Sequence, residues 1–326
     1  MNHLDRRNYA WILAAVVVVF IIGAALYPRT QVKKPLPKPL APAAPEVAQY
    51  TEEPTISLYR HQLGGTIQEL PLEKYLEGVV AAEVGPNPPM EALKAQAIVA
   101  RTLTLALVNY QNGAPEPGAD ACDLHTHFQA YDEKKVTDRI RQAVAATRGQ
   151  VLTYDGKFIY AEFHSCAGGK TASIEEAFPK LAEAASDYIK PVSSPGMRYA
   201  SRNERYWSLK LPRWELQNIM GSEAGSLNDL KISKRGPSGR ALTLTAGGKD
   251  ISAIDLRASL GPDRFKSTFI TSIRPRGDYI YFKGKGWGHG AGMEQWGAFG
   301  LAKQGKSAQQ IVTHYYTDAQ LRTLWK

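Results

Sequence analysis

The chain has 326 residues, of which 44% are hydrophobic and 22% are charged, and this ordinary globular composition excludes wholesale disorder. Its 40 Lys and Arg residues against 31 Asp and Glu give a net charge of +9. That excess either favours acidic partners, such as anionic lipid or cell-wall polymer, or is simply a solvated surface. Two cysteines are too few for a disulfide scaffold and allow one bridge or part of one metal site.

An uncharged apolar segment at residues 10–27 follows Arg6 and Arg7. It is just long enough to cross a hydrocarbon core of about 30 Å as a helix. We therefore expect a cytoplasmic tail at 1–9 and an uncleaved membrane anchor at 10–27; a cleaved signal peptide and a buried core helix are the alternatives. Because long domains translocate largely regardless of flanking charge, we expect a single-pass protein of the cell membrane with its bulk on the extracytoplasmic side.

Prolines dominate the segment that follows the anchor. Six of them fall between residues 28 and 45, which disfavours helix and sheet and favours an extended polyproline conformation. We interpret residues 28–54 as a spacer that holds a folded domain, residues 55–326, away from the membrane.

The first predicted helix carries a candidate acid. Apolar residues in LEKYLEGVVAAEV (72–84) recur at helical spacing, and Glu83 continues that stripe at the end of the helix. A desolvated carboxyl group beside a helix C-terminus has a raised pKa and can act as a general acid. The alternative is a register shifted by one residue, which leaves Glu83 as a solvated carboxylate.

The remaining pattern predicts an α+β fold of mixed helices and antiparallel strands. Helices are expected near 90–110, 136–147 and 308–316, and Asp155-Gly156 is a typical hairpin turn. Strand pairs are expected around 230–246 and 267–283. Residues 180–250 are harder to assign and are interpreted as an insertion or a small subdomain. Helices and strands do not alternate regularly, which is typical of α+β proteins.

Cysteine and histidine residues concentrate in two short stretches of the chain. They are Cys122, His125, His127, His164 and Cys166. Tetrahedral zinc is bound by such side chains, although their spacing matches no standard zinc finger. A Cys122–Cys166 disulfide and two free thiols are the other interpretations.

A glycine-rich segment, GKGWGHGAGMEQWG, occupies residues 284–297. Neither a βαβ unit nor a following acidic residue supports a dinucleotide site there. Aromatic rings and polar groups within a glycine loop suit a carbohydrate surface, with a buried turn packed by its own tryptophans as the alternative. No basic helix accompanies the positive charge, so nucleic acid is not an expected partner.

Several of these segments together resemble the stage II sporulation protein D family of peptidoglycan enzymes. They occur in the family's order and are YLEGVVAAEV (75–84), EALKAQAIVARTLTLA (91–106), FHSCAGGKT (163–171), LRASLGPDRFKSTFI (256–270), GWGHGAGMEQWGAFGLAKQG (286–305) and HYYT (314–317). The resemblance spans nearly all of the predicted folded domain.

The resemblance implies a lytic transglycosylase that cuts the β-1,4 bond from N-acetylmuramic acid to N-acetylglucosamine and leaves a 1,6-anhydro end. The family's catalytic glutamate falls on Glu83. Members act on glycan strands stripped of stem peptides, during sporulation engulfment, beside a wall amidase and other membrane-anchored proteins. The sugar's own C6 hydroxyl is the nucleophile, so a single carboxyl group suffices and no cofactor is required.

The family's segments also nominate residues for substrate binding in a groove. Gln96 and Arg101 lie on the second predicted helix. The HSCAGG and GHGAGM segments add four side chains as expected contacts, His164, Ser165, His289 and Gln295.

Some family members bind zinc near the segment CDLHTHFQAY. Cys122 and His127 match two of the ligands, but Phe128 stands where a second cysteine is expected. Cys166 is the candidate replacement, with His125 or His164 as a fourth ligand. Such a zinc ion is expected to be structural.

Two rival functions remain open at the level of sequence. Related proteins are described as enhancers of wall amidases, so the chain would bind glycan without cutting it. Alternatively, the Cys/His group would form a zinc hydrolase acting on stem peptides, which requires an open metal position.

Overall fold

The computed structural model describes residues 39–85 and 87–326. The predicted cytoplasmic tail, membrane anchor and first part of the spacer lie outside these residues. Within the described part, no helix is both long and apolar enough to span a bilayer. Residues Leu40–Lys326 form one compact unit.

Helices of very different length occur in the described residues. They are α1 (Pro45–Ala48), α2 (Leu72–Glu83), α3 (Met90–Gln111), α4 (Asp138–Ala146), α5 (Ile174–Ala177), α6 (Ala182–Ala185), α7 (Arg202–Arg205), α8 (Arg213–Met220), α9 (Ala253–Leu260), α10 (Gln295–Lys303) and α11 (Ala308–Tyr315). Those predicted near 72–84, 90–110, 136–147 and 308–316 are thereby confirmed.

The strands are short and form several small sheets. They are β1 (Thr55–Arg60), β2 (Thr66–Pro71), β3 (Ala121–Cys122), β4 (Gln150–Tyr154), β5 (Lys157–Phe158), β6 (Phe163–His164), β7 (Tyr206–Pro212), β8 (Lys231–Arg235), β9 (Ala241–Ala246), β10 (Lys249–Ser252), β11 (Ile270–Arg276), β12 (Tyr279–Lys285), β13 (Met293–Glu294) and β14 (Gln320–Thr323). Most neighbours are antiparallel, whereas β1 with β3 and β6 with β13 are parallel. The α+β prediction is confirmed for this part of the chain.

The first hydrophobic cluster joins the N-terminal elements to helices α2 and α3. Leu76 and Val80 of α2 pack with Leu93 and Ala97 of α3. Val47 of α1 is completely buried in the same cluster. Ala41 N donates to Gln320 Oε1 and Ala44 N to Gly156 O, at 2.9 and 3.0 Å. Residues 39–54, assigned to the spacer by their sequence, are therefore docked on the domain.

The second cluster surrounds the opposite side of α3. It includes Ile98 of α3, the β4–β5 region, part of the glycine-rich segment and helix α11. The predicted turn between β4 and β5 is formed, with Asp155 and Gly156 at φ angles of 47° and 81°. Strand β5 is shorter than expected, because the chain leaves the sheet after Phe158.

A third cluster lies between two antiparallel sheets and helices α8 and α9. The sheets have the strand orders β11-β12-β7 and β10-β9-β8. Trp207, Leu211 and Phe282 are buried between them. This cluster begins inside the 180–250 segment and continues to β12, so both predicted strand pairs belong to one packed body.

Candidate active site

A cleft of about 400 Å³ opens where α2 ends. Its walls come from distant parts of the sequence: the end of α2, one face of α3, the loop after β6, helix α7, the residue Trp287 and helix α10. Polar groups on the walls are Glu83, Gln96, Ser165, Glu204 and Gln295, and aromatic ones are Trp287, Trp296 and Phe299. A concave site with a few polar groups among aromatic rings is typical of carbohydrate binding.

Glu83, the last residue of α2, is partly buried in this cleft. Its Oε1 accepts a hydrogen bond from the backbone N–H of Ala130 at 3.0 Å, and its Oε2 accepts one from Gln295 Nε2 at 3.3 Å. Burial raises the pKa of Glu83, and the two hydrogen bonds offset only part of that effect. A carboxyl group in this setting retains its proton to higher pH than an exposed one, as a general acid must.

The close approach that brings Ala130 to Glu83 depends on a glycine in α2. A Cβ atom at Gly78 would lie 2.2 Å from the Tyr131 ring, so only glycine lets that ring lie against the helix. The backbone N–H of Asp132 then donates to Gly78 O at 3.1 Å. The segment around Ala130 is thereby fixed against the helix that carries the acid.

A second carboxylate in the cleft, Glu204, was not anticipated from the sequence. Its Oε1 accepts hydrogen bonds from Trp296 Nε1 at 2.6 Å and from Ser165 Oγ at 3.2 Å. Burial alone would raise the pKa of Glu204, but bonds from Ser201, Trp296 and Ser165 outweigh it and lower the pKa. The cleft therefore contains two carboxyl groups whose environments shift their pKa values in opposite directions, a recurrent arrangement in acid–base sites.

Gln96 lines the cleft with a side chain whose amide is buried and unpaired. Its side chain is 1% exposed, and neither Oε1 nor Nε2 has a hydrogen-bond partner within the described residues. Buried polar groups are almost always hydrogen-bonded, so a ligand or a water molecule in the cleft is the natural partner.

Three predicted contacts, Gln96, Ser165 and Gln295, thus line the cleft with Glu83, and three others do not. His164 and His289 lie behind the cleft wall with their rings 5.4 Å apart. His164 Nδ1 bonds the carbonyl of Ala291, and His289 Nε2 bonds that of Phe163, at 3.1 and 2.7 Å. They fasten the glycine-rich segment to β6.

Arg101 is the third predicted contact that does not line the cleft. It is completely buried, and its guanidinium pairs with both carboxylate oxygens of Glu73 at 3.0 and 2.5 Å. A further bond at 3.0 Å reaches the carbonyl of Gln150. Apart from a bond at 3.4 Å to the carbonyl of Ala97 within α3, these bonds hold α3 to α2 and β4, which is a structural role.

Comparison with known proteins decides the family. The family model described as stage II sporulation protein matches residues 60–154. The stage II sporulation protein D of Bacillus subtilis is 32% identical over 82% of this chain and 78% of its own length. That of Bacillus amyloliquefaciens is 33% identical over 77% and 74%. The chain belongs to the stage II sporulation protein D family. The amidase enhancer of Bacillus subtilis is also similar, 28% identical over 76% of this chain and 40% of its own length.

This member of the stage II sporulation protein D family also assembles a group of potential metal ligands. His61, Glu116, Cys122 and His127 each offer one ligand atom, and all four atoms lie within 4.8 Å of one another. Glu116 Oε1 bonds His61 Nε2 and His127 Nδ1, both at 2.7 Å. One sulfur, two imidazole nitrogens and one carboxylate oxygen suit tetrahedral zinc, so the residues fit the expected ion.

The composition of this group corrects the ligand set expected from the sequence. Cys122 and His127 belong to it, but Cys166 does not, and neither do His125 and His164. The backbone of Cys166 bonds that of Trp287 in both directions, and its sulfur lies 3.8 Å from Met197 Sδ. The disulfide alternative is also wrong, because both cysteines are free.

Proposed function

We propose that this chain is a lytic transglycosylase that cleaves peptidoglycan glycan strands, with Glu83 as its general acid and base. The observation that carries it is a partly buried carboxyl group with a raised pKa in a cleft lined by tryptophans. Family membership supports a role in the cell wall during sporulation.

The reaction needs one proton donor that later becomes an acceptor. The Glu83 carboxyl group protonates the glycosidic oxygen, and the C1–O bond breaks. The C6 hydroxyl oxygen of the same sugar then bonds to C1, and its proton passes to the Glu83 carboxylate. A 1,6-anhydro sugar forms, and the enzyme returns to its starting protonation state without consuming water.

The other cleft residues assist this step in separate ways. Gln295 donates to Glu83 Oε2 and fixes the orientation of the carboxyl group. Gln96 offers an unpaired amide to the sugar hydroxyls. Glu204 holds the Trp296 indole, whose ring serves as a stacking platform for a sugar. Glu204 is in this role a positioning residue.

We place the domain on the extracytoplasmic side of the cell membrane, held by the apolar segment at 10–27. Strands stripped of stem peptides are the proposed substrate, and a wall amidase together with other anchored engulfment proteins are the proposed partners. The cluster of His61, Glu116, Cys122 and His127 is proposed to hold a structural zinc ion.

One experiment distinguishes the proposed transglycosylase from the alternative functions. The full chain is incubated with peptide-free glycan strands, and the products are read by mass spectrometry. We expect anhydro-ended fragments from the wild type and from the exposed control Glu69→Gln, and none from Glu83→Gln. Products with reducing ends would instead indicate ordinary hydrolysis, with Glu204 as the second carboxylate.

A second candidate, a non-catalytic enhancer of a wall amidase, is favoured by the similarity to the amidase enhancer. It predicts that the wild type retains glycan strands without cutting them. It also predicts that Glu83→Gln stimulates a wall amidase as well as the wild type does. Cleavage by the wild type alone would exclude it as the sole activity.

A further inference from the structure

One face of the sheet β11-β12-β7 is cationic and aromatic. Side chains alternate along each strand, so Trp207, Leu211 and Phe282 enter the third hydrophobic cluster and their neighbours point outward. Six outward-pointing residues with cationic or aromatic side chains define what we call the cationic sheet face. They are Tyr206, Lys210, Arg274, Tyr279, Tyr281 and Lys283.

The strand register places these charges and rings side by side. Tyr281 lies directly opposite Lys210 on one neighbouring strand and opposite Arg274 on the other. Lys210 Nζ lies 3.8 Å from the centre of the Tyr279 ring. Tyr206 and Tyr281 are 56% and 37% exposed, so both rings are accessible to a ligand.

The positive charge on this face is not neutralised locally. The three strands, YWSLKLP, ITSIRPR and YIYFKGK, contain no Asp or Glu. Within residues 39–85 and 87–326, the side chains of Arg274 and Lys283 form no ion pair or hydrogen bond. A face of this kind is complementary to a ligand that carries regularly spaced negative charges.

Two strands of this face end beside the cleft. Strand β7 begins two residues after Glu204, and β12 ends two residues before Trp287, both of which line the cleft. The backbone N–H of Gly286 donates to Arg205 O at 2.9 Å and joins the two strand ends there. Seven residues at about 3.3 Å each make a track roughly 23 Å long that leads away from the cleft.

We infer that the cationic sheet face is a second binding surface for the glycan strand that occupies the cleft, and that it selects strands bearing free carboxylates. Removal of stem peptides leaves one lactyl carboxylate on each N-acetylmuramic acid, which Lys210, Arg274 and Lys283 can bind. The tyrosine rings stack on the sugars that lie between the bound carboxylates. This inference rests on the proposed function, because the cleft must hold a glycan for the track to continue it.

A membrane is the less suitable occupant of the face. Binding to a lipid surface scales with the apolar area that enters it. The uncharged residues that point outward here include tyrosine and serine, and the leucines and phenylalanine of these strands are turned inward. A narrow, carboxylated polymer matches both the length and the chemistry of the track.

The test measures binding rather than cleavage. In the full chain carrying Glu83→Gln, the triple variant Lys210→Gln/Arg274→Gln/Lys283→Gln is compared with its parent for binding to long peptide-free strands. We expect the Kd to rise about tenfold or more, because hydrogen bonds to charged groups are lost. With strands whose carboxyl groups have been reduced to alcohols, parent and triple variant should bind equally weakly.

A control of the same charge removes three exposed lysines elsewhere. Lys231→Gln/Lys234→Gln/Lys306→Gln should change the Kd less than twofold. Equal weakening by both triple variants would overturn the inference and leave only a general effect of net charge. Arg274→Gln alone is the second variant, and should weaken binding about two- to fivefold if the triple variant proves unstable.

The outcomes separate this inference from the proposed function. If the wild type cleaves glycan and the triple variant binds it as well as its parent does, the binding role of the face is overturned and the proposed enzyme activity is retained. If the triple variant binds glycan more weakly but the wild type does not cleave it, the binding role of the face is supported and the proposed enzyme activity is rejected. The vesicle arm uses residues 40–326, which form one compact unit without the apolar segment at 10–27. If the triple variant bound phosphatidylglycerol vesicles more weakly than its parent but bound glycan equally well, the face would be assigned to a membrane and the inference overturned.

Discussion

The buried pair of Arg101 and Glu73 offers the sharpest test of how this fold is held together. Arg101 is 0% and Glu73 is 7% exposed, and two hydrogen bonds join them. Glu73 Oε1 also accepts bonds from Gly149 N and Trp325 Nε1, at 3.0 and 3.2 Å. One carboxylate thus connects α2, α3, β4 and the last residues of the chain.

Replacing Arg101 with methionine keeps an unbranched apolar stem, removes the guanidinium and leaves Glu73 buried without its counter-ion. Removing one partner of such a pair costs about 3–5 kcal/mol of unfolding free energy. For a unit of this size the melting temperature should then fall by about 5–8 °C. The double variant Arg101→Met/Glu73→Leu should lose less than the sum of its single variants, because neither charge is left alone.

Urea denaturation measures the loss of unfolding free energy, and Arg141→Gln is the matched control. Arg141 pairs with Asp138 on the surface, so its replacement should cost about 0–1 kcal/mol. The Arg101→Met protein that remains folded should keep the wild-type KM for glycan strands. If Arg101→Met left the unfolding midpoint unchanged but raised KM, the structural role would be refuted and Arg101 would again be a candidate for substrate binding.

Three further predictions concern the acid, the ligand cluster and the glycine-rich segment. Gln295→Ala removes a hydrogen bond that stabilises ionised Glu83, so the pKa of Glu83 should rise further. In the pH–rate profile, the alkaline loss of kcat/KM should therefore move to higher pH. A shift of that loss to lower pH would contradict the acid role. The full chain should contain about one zinc ion by elemental analysis, and His127→Asn should abolish it and lower the melting temperature, whereas equal zinc content in both proteins would exclude this cluster. Gly292→Ala should cost well over the roughly 1 kcal/mol expected of Gly64→Ala in denaturation. Both have a positive φ, of 68° and 75°, but a Cβ at Gly292 would lie 1.9 Å from Glu162 O, whereas one at Gly64 meets nothing within 4 Å. Equal costs would contradict a steric cause.

Local periodicity placed Glu83 on the apolar face of its helix, whereas its role as the catalytic acid came from the family resemblance and stays a prediction. The apolar stripe of α2 and its end at Glu83 follow from residues within one helix, and the structure places that carboxyl group in the cleft. Gln96 and Arg101 of the next helix were both nominated through the family resemblance, and only Gln96 lines the cleft. Regular helical spacing does not distinguish the two, because the face of α3 that meets the cleft is set by elements elsewhere in the chain.

The residues that sequence reasoning missed depend on long-range pairing. His61 and Glu116 are 55 positions apart and meet because β3 pairs in parallel with β1, which no local pattern reveals. Glu204 lies in the short helix α7, where Ser201 and Glu204 form a capping box. That spacing is visible in the sequence, yet it indicates only where a helix begins and not that the capping carboxylate also faces a cleft.

The two hydrogen bonds to Glu83 have a consequence for the order in which activity appears. Their donors are 47 and 212 residues further along the chain, in the loop after β3 and at the start of α10. A growing or truncated chain that ends before Gln295 contains the acid but neither the amide that orients it nor the tryptophan beside it. On the function proposed above, the site around Glu83 is therefore complete only when nearly the whole sequence has folded.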